Sequence, residues 1–158
     1  AMNIRKPTDY SAMYAVLDHL METTMPQVER YFEIGRAVCA RVEKGAAVAA
    51  SEYLQAAYPK GSGFSPRNLR RMREFYRAYE NTPELVRSAM KLGWTQNVII
   101  LEAELTIEER AWYLQAVERF NCSKKELADQ ISAAAHLENQ CRRTSGKFPR
   151  RCRGDVLY

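Results

Sequence analysis

The chain has 158 residues, of which 46% are hydrophobic and 27% are charged, and its formal net charge at pH 7 is +5. This length and composition predict one globular domain with a tail and argue against two large domains. No apolar run approaches the ~20 residues of a membrane span, and no secretory signal is evident, so we expect a cytoplasmic protein that does not contact membranes.

The four cysteines are widely spaced and include no Cys-x-x-Cys pair. A structural zinc site typically takes its ligands from closely spaced pairs. A combination of Cys122 and His136 with Cys141 and Cys152 is therefore a poor zinc candidate, and we predict no metal and no cofactor. Reduced thiols agree with a cytoplasmic location.

The chain divides into three parts by composition. Residues 1–7 are predicted to be a short disordered lead, and amphipathic helical patterns fill residues 8–138. From Asn139 the apolar periodicity stops, and residues 139–158 combine Gly, Pro and many cations, which predicts a flexible basic tail or linker.

The second predicted helix contains a glycine in its middle. Pro26 suits its first turn, its apolar face extends to Val42, and Gly45 is expected to end it. A mid-helix glycine costs about 1 kcal/mol relative to alanine. Gly35 therefore predicts a close crossing with another helix.

A loop and a well-marked helix follow an alanine-rich helix at 46–58. Residues 59–63 contain one proline and two glycines, which predicts a loop. Ser65 is a natural N-cap and Pro66 fits the first helical position, so a helix is predicted over 64–79. Its apolar side chains fall within one sector of about 120°, a width that suits core packing. They are Leu69, Met72, Phe75, Tyr76 and Tyr79.

The opposite side of this helix is cationic, with Glu74 as the single acid among five arginines. Such like charges repel one another unless solvent or an anionic partner screens them, and a phosphate backbone would do so. A solvated basic face with no ligand is the alternative interpretation. The arginines are Arg67, Arg70, Arg71, Arg73 and Arg77.

The helices at 46–58 and 64–79 have the outline of a helix-turn-helix with the second in the recognition role. Asn68 lies near the start of that second helix, where recognition helices reach base edges, and asparagine can pair bidentately with adenine. Many helical hairpins share this outline, so it indicates DNA binding only in combination with the arginines.

Four further helices are predicted. A helix follows Pro83, and the apolar run at 98–101 is assigned to a helix capped by Thr95 rather than to a strand. Thr106 and Ser123 begin capping boxes for helices at 106–120 and 123–138. These last two helices form a second helix-turn-helix-like pair, although Lys124 and Lys125 alone are a weak sign of DNA binding. The fold class is therefore all-α, a compact multi-helix domain with one or two such pairs.

Positive charge is concentrated in two segments of a chain that is otherwise net negative, an arrangement that can steer a polyanion to one surface. We therefore predict binding to duplex DNA, with a helical interaction domain docking on an acidic protein as the alternative. The predicted DNA contacts are Lys60, Arg67, Asn68, Arg70, Arg71, Arg73 and Arg77, together with Arg142, Arg143, Arg150 and Arg151 in the tail.

Four segments occur in a familiar order. They are Tyr31–Arg36, Gly63–Tyr76, Gly93–Asn97 and Arg110–Tyr113. Together they resemble the N-terminal domain of YhcG-type proteins, a domain of unknown function, over roughly residues 10–138. The resemblance implies an all-helical module, often regarded as DNA-binding, that normally precedes a PD-(D/E)XK-type nuclease domain and acts as its targeting part. The family usually reads Trp-Ser-His where this chain has Trp94, Thr95 and Gln96, which puts any chemical role of that histidine in doubt here.

Catalytic signatures are missing from the sequence. It contains no His-Glu-x-x-His, no Gly-rich phosphate loop and no Gly-x-Ser-x-Gly, and no acid stands two positions before a lysine as a nuclease of the implied type requires. We therefore predict that this chain is not itself an enzyme and that any nuclease partner is a separate domain or subunit.

Overall fold

The computed structural model describes residues 8–133, and this range is helical with no strand. The predicted all-α fold class is confirmed. The predicted lead at 1–7, the basic tail at 139–158 and residues 134–138 of the last predicted helix lie outside the described residues. The eight helices of this range are α1 Ser11–Glu22, α2 Gln27–Cys39, α3 Ala46–Ala57, α4 Pro66–Tyr79, α5 Pro83–Met90, α6 Trp94–Leu101, α7 Ile107–Phe120 and α8 Lys124–Ser132.

The chain divides into two compact units, one ending at Arg77 and the other beginning at Ala78. Helices α1 to α3 and all but the last two residues of α4 belong to the first unit. Helices α5 to α8 belong to the second. Within the described residues, no helix is both long enough and apolar enough to cross a bilayer.

In the first unit, α1, α2 and α3 pack against one another in pairs. Their amphipathic patterns place aliphatic side chains such as Leu17, Ile34 and Leu54 in full burial. On the side where α1 meets α3, the rings of Tyr14 and Tyr53 stack with centroids 4.2 Å apart. The hydrophobic core of this unit is thus built mainly from side chains that follow the 3.6-residue period.

Helix α2 crosses α4 closely at Gly35, as the sequence predicted. A Cβ atom at Gly35 would overlap the carbonyl oxygen of Met72 and would lie 3.1 Å from the Cβ atom of Tyr76. Next to this crossing, the ring of Phe32 meets that of Phe75 edge to face at 5.6 Å. The glycine is needed because the two helix backbones approach each other too closely for any side chain.

The predicted end of α2 is wrong. The helix ends at Cys39, Ala40 is its C-cap, and the amide of Arg41 donates to the carbonyl of Val38 at 3.0 Å, which closes a tighter last turn. Gly45 does not end α2 but precedes α3 as its N-cap residue. Val42, which was expected on the buried face, is 94% exposed.

In the second unit, α7 packs against α5 and α6, and α6 also packs against α8. The apolar run at 98–101 is helical, as predicted, and lies within α6. The cap predicted for this helix is wrong, because α6 begins two residues earlier than expected and its N-cap residue is Gly93 rather than Thr95. The side chain of Gln96 then reaches back to accept a hydrogen bond from the Gly93 amide at 2.9 Å.

Both predicted capping boxes of the second unit are confirmed. The amide of Glu109 donates to Oγ1 of Thr106 at 3.1 Å, and the Thr106 amide donates to Oε1 of Glu109 at 2.8 Å. The same exchange joins Ser123 and Glu126 at 3.2 and 2.8 Å. Each box satisfies amides that the first turn of a helix leaves without partners.

Candidate nucleic-acid interface

The start of α4 is fixed by its own first turn and by the loop before it. Oγ of Ser65 accepts a hydrogen bond from the amide of Asn68 at 3.2 Å, so the predicted N-cap is confirmed. Nδ2 of Asn68 donates to the carbonyl of Gly63 at 2.6 Å. The side chain of Asn68 therefore fastens the loop to the helix, and its predicted contact with a base edge stays a prediction.

Helix α3 holds the same loop from the other side. The carbonyl of Phe64 accepts hydrogen bonds from Oγ of Ser51 at 2.5 Å and from Nε2 of Gln55 at 2.9 Å. The Phe64 side chain is itself buried. Gly63 has a φ of +87°, and a Cβ there would overlap the hydroxyl of Tyr31. These contacts set the position at which α4 leaves the loop.

The two sides of α4 separate as the sequence predicted. Leu69, Met72, Phe75 and Tyr79 are fully buried, and Tyr76 is half-buried. On the opposite side, Arg67, Arg70 and Arg77 are exposed, while Arg71 and Arg73 at its two edges are partly exposed. The helix thus presents a cationic surface, which we call the arginine face, made of these five arginines.

The arginines of the arginine face differ in whether an acidic side chain lies close to them. Glu74 lies 3.1 Å from Nη1 of Arg77 and 3.6 Å from Nε of Arg73. Arg67 and Arg70, nearer the start of the helix, have no ion-pair partner within residues 8–133. Exposed ion pairs of the Glu74 kind contribute only about 0–1 kcal/mol, so a phosphate can replace the carboxylate at little cost.

The connection between α3 and α4 is longer than a helix-turn-helix turn. It runs from 58 to 65, eight residues, whereas the motif uses about three or four. Lys60, one of the predicted contacts, is exposed within this connection. The pair α3 and α4 therefore shares the order of elements with the motif but not its tight turn.

The second predicted pair has the tighter turn. Only residues 121–123 connect α7 to α8, and Asn121 adopts a left-handed conformation with φ of 50°. Lys124 and Lys125 follow this turn, and Lys125 pairs with Asp129 at 3.2 Å. This pair has the more typical geometry and much less positive charge.

Two cations near the arginine face were missed by the sequence prediction. Arg41 and Lys44 lie in the connection between α2 and α3, and together with Arg73 and Arg77 they line a surface depression of about 620 Å³. Arg41 forms a bidentate ion pair with Glu43 at 3.0 and 3.1 Å, and its hydrogen bonds lower the pKa of the Glu43 carboxyl. They were missed because the sequence pattern extended α2 past its real end at Cys39, so the connection that carries them was not recognised.

The remaining predicted contacts, Arg142, Arg143, Arg150 and Arg151, lie outside the described residues. Of the zinc candidates, only Cys122 lies inside; it is buried, and burial raises the pKa of its thiol to about 11. Within 8–133 there is no group of three His, Cys, Asp or Glu side chains that could hold a metal ion. The described arginines and lysines are therefore the residues on which a functional assignment can rest.

A comparison with models of protein families shows to which family this chain belongs. The model of the DUF1016 N-terminal domain matches residues 17–138, which is most of the chain and includes the whole arginine face. The chain belongs to the DUF1016 N-terminal domain family. The resemblance to YhcG-type proteins agrees with this match. No curated protein and no solved structure matches the chain. No catalytic domain is found among the family matches.

Gln96 has a structural role in this DUF1016 N-terminal domain. Its Oε1 accepts from the amide of Gly93 at 2.9 Å, and its Nε2 donates to the carbonyl of Cys122 at 2.8 Å. The side chain therefore caps α6 and ties it to the turn between α7 and α8. The resemblance to YhcG-type proteins implies a histidine at this position, whereas here both ends of the glutamine amide hold helix ends together.

Proposed function

We propose that this domain binds duplex DNA through the arginine face of α4, and that it serves as the targeting part of a nuclease-type system. The observation that carries the proposal is the pair Arg67 and Arg70, exposed and without an ion-pair partner within residues 8–133. Cations left unpaired on one rigid helix suit the closely spaced phosphates of a duplex.

The support of α4 strengthens the proposal. A helix that meets DNA must keep its orientation, and α4 is held by the loop contacts of Phe64 and Asn68 and by the crossing at Gly35. The arginine side chains start from this fixed backbone. Less conformational freedom is therefore lost when they contact phosphates than would be lost from a disordered segment.

Docking on an acidic protein is the other candidate, and the burial of the tyrosines weighs against it. Exposed tyrosines would be the expected anchors of such an interface. Each tyrosine between residues 8 and 133 is instead buried or half-buried. The arginine face remains compatible with an acidic protein surface, so the experiment includes this case.

The test is fluorescence anisotropy with a labelled random duplex of about 30 base pairs at low salt. The variant Arg67→Gln/Arg70→Gln should bind roughly tenfold more weakly than the wild type, because two phosphate contacts are lost. The matched control Lys124→Gln/Lys125→Gln removes the same charge from the second pair and should stay within about twofold of the wild type.

Three results would overturn this proposal. The wild type not binding duplex DNA at low salt would reject DNA binding outright. Equal losses in the arginine and lysine variants would indicate unspecific charge attraction. A loss confined to a full-length variant with Arg142, Arg143, Arg150 and Arg151 changed to Gln would assign binding to the tail rather than to α4.

A further inference from the structure

The depression beside α4 combines cations from two segments that are distant in sequence. Arg41 and Lys44 come from the connection between α2 and α3, while Arg73 and Arg77 come from the second half of α4. The Sγ atom of Cys39 donates to the carbonyl of Arg73 at 3.6 Å, so the end of α2 lies directly against this part of α4. The four cations therefore face one space of about 620 Å³.

The cations in this depression either lack an ion-pair partner within residues 8–133 or form only weak ion pairs. Lys44 is exposed and has no ion-pair partner within residues 8–133. Arg41 pairs with Glu43, and both side chains are partly exposed at 25% and 34%. Arg77 and Arg73 share Glu74. Because exposed pairs are weak, an incoming phosphate can displace either carboxylate.

Arg73 has an unused donor at this place. Its Nε is buried and makes no hydrogen bond to any described residue, and the Glu74 oxygen at 3.6 Å is beyond hydrogen-bond length. Its side chain is 22% exposed, and the residue lines the depression. A partly buried guanidinium with an unsatisfied buried N–H gains more from an anion than a fully solvated one does.

An apolar side chain projects among these charges. Val42 lies between Arg41 and Glu43, which form a bidentate ion pair with each other, and Val42 itself is 94% exposed. It also lines the depression. A nucleic-acid backbone alternates anionic phosphates with apolar sugar faces, so cations around an exposed valine match its chemistry better than they match a free anion.

We propose that this depression is a second contact site for the DNA backbone, in which Lys44, Arg73 and Arg77 hold phosphate and Val42 packs against deoxyribose. The inference rests on the proposed function, since it extends the arginine face of α4 onto the connection between α2 and α3. Glu43 is the intramolecular competitor in this site, because it occupies Arg41 until a phosphate replaces it.

The test uses the full-length chain and the same random duplex across a salt series. Lys44→Gln should weaken binding about threefold and make the log–log salt slope shallower by about 0.9, the value for one phosphate contact. Glu43→Gln should strengthen binding about twofold, because Arg41 then meets phosphate without competition. Lys124→Gln is the matched control and should leave the slope unchanged.

A further variant separates a backbone from a simple polyanion. Val42→Ser should weaken binding to duplex DNA but should not change binding to polyglutamate, which offers carboxylates without sugars. Equal effects of Val42→Ser on both ligands would overturn the sugar contact and favour an acidic protein as the occupant. No effect on either ligand would overturn the sugar contact alone. Unfolding curves of all variants serve as controls for folding, and these surface changes should stay within about 0.5 kcal/mol of the wild type.

The two proposals fail in different ways. Wild-type affinity and slope in Lys44→Gln, with a clear loss in Arg67→Gln/Arg70→Gln, would reject the second site and leave the arginine face as the DNA contact. No duplex binding by the wild type would reject both.

Discussion

Each of the two helix pairs of this protein has only some of the features of a DNA-binding helix-turn-helix motif. The pair α7 and α8 has the three-residue turn that is typical of the motif, yet its four cations are outnumbered by five acids and Lys125 is paired with Asp129. The pair α3 and α4 has an eight-residue connection, and its second helix carries five arginines. Turn geometry alone would have placed the interface in the second unit, whereas charge and exposure place the proposed interface in the first.

This difference has a physical basis. Affinity for duplex DNA comes largely from neutralised phosphates, so cations that are exposed and unpaired matter more than the angle of a turn. A tight turn between two helices can be required by packing alone, as the ties of Gln96 to Gly93 and Cys122 illustrate in the second unit.

Gly35→Ala should break the support of the arginine face. The added Cβ would overlap the carbonyl oxygen of Met72, and such overpacking costs about 1–3 kcal/mol of unfolding free energy. Urea denaturation measures this loss. Gly45→Ala is the control, because its Cβ would meet only the Tyr10 hydroxyl at an ordinary 3.5 Å, and its cost should not exceed about 1 kcal/mol. Equal small losses in both variants would contradict the close crossing of α2 and α4.

Gln96→Ala should destabilise the second unit without weakening DNA binding. It removes hydrogen bonds to Gly93 and Cys122, which together should lower the unfolding free energy by about 1–2 kcal/mol. Duplex affinity of the folded protein should stay within about twofold of the wild type. Gln115→Ala, at an exposed position of α7, should change stability by less than about 0.5 kcal/mol. A marked loss of DNA binding in the folded Gln96 variant would instead assign the interface to the second unit.

Asp18→Asn should have the smallest effect, and one that depends on pH. Hydroxyls of Tyr53 and Tyr58 donate to the Asp18 carboxylate at 2.6 and 2.7 Å, and these bonds lower its pKa and raise the pKa of Tyr58 to about 12. Because the folded pKa of Asp18 lies below its ordinary value of 3.8, the carboxylate stabilises the fold above that pH, and this contribution is lost as the pH falls through the folded pKa.

The melting temperature is the measurement for Asp18→Asn. The variant should melt below the wild type at neutral pH, and the difference should shrink as the pH falls below 3.8. The absorbance of tyrosinate should also show Tyr58 titrating at lower pH in the variant. Asp129→Asn, on the exposed surface of α8, is the control. A difference in melting temperature that is constant with pH would show that the carboxylate charge does not stabilise the joint between α1 and α3.

Local signals in the sequence were sufficient to predict most of the helices and the arginine face. The cap at Ser65, the proline after it and the apolar period of α4 all act within one or two turns, so they can be identified without tertiary contacts. The crossing at Gly35 was predictable because a mid-helix glycine is unfavourable unless packing requires it.

The second set of cations could not be predicted in the same way. Val42 follows Val38 at the helical spacing of four, so the pattern extended α2 past its real end at Cys39. The placement of Arg41 and Lys44 beside α4 depends on contacts between segments about thirty residues apart, as the bond from Cys39 to Arg73 illustrates. The hydrogen bond from Asn68 to Gly63 could not be predicted from the sequence either, because it depends on the shape of the loop.

The decisive measurement is the salt dependence of duplex binding, compared between the wild type and the two double variants. If the arginine face neutralises phosphates, Arg67→Gln/Arg70→Gln should make the log–log slope shallower by about 1.8, which corresponds to two phosphate contacts, and Lys124→Gln/Lys125→Gln should leave it unchanged. A slope that becomes shallower in the lysine variant and stays at the wild-type value in the arginine variant would contradict this account. It would assign DNA binding to α7 and α8.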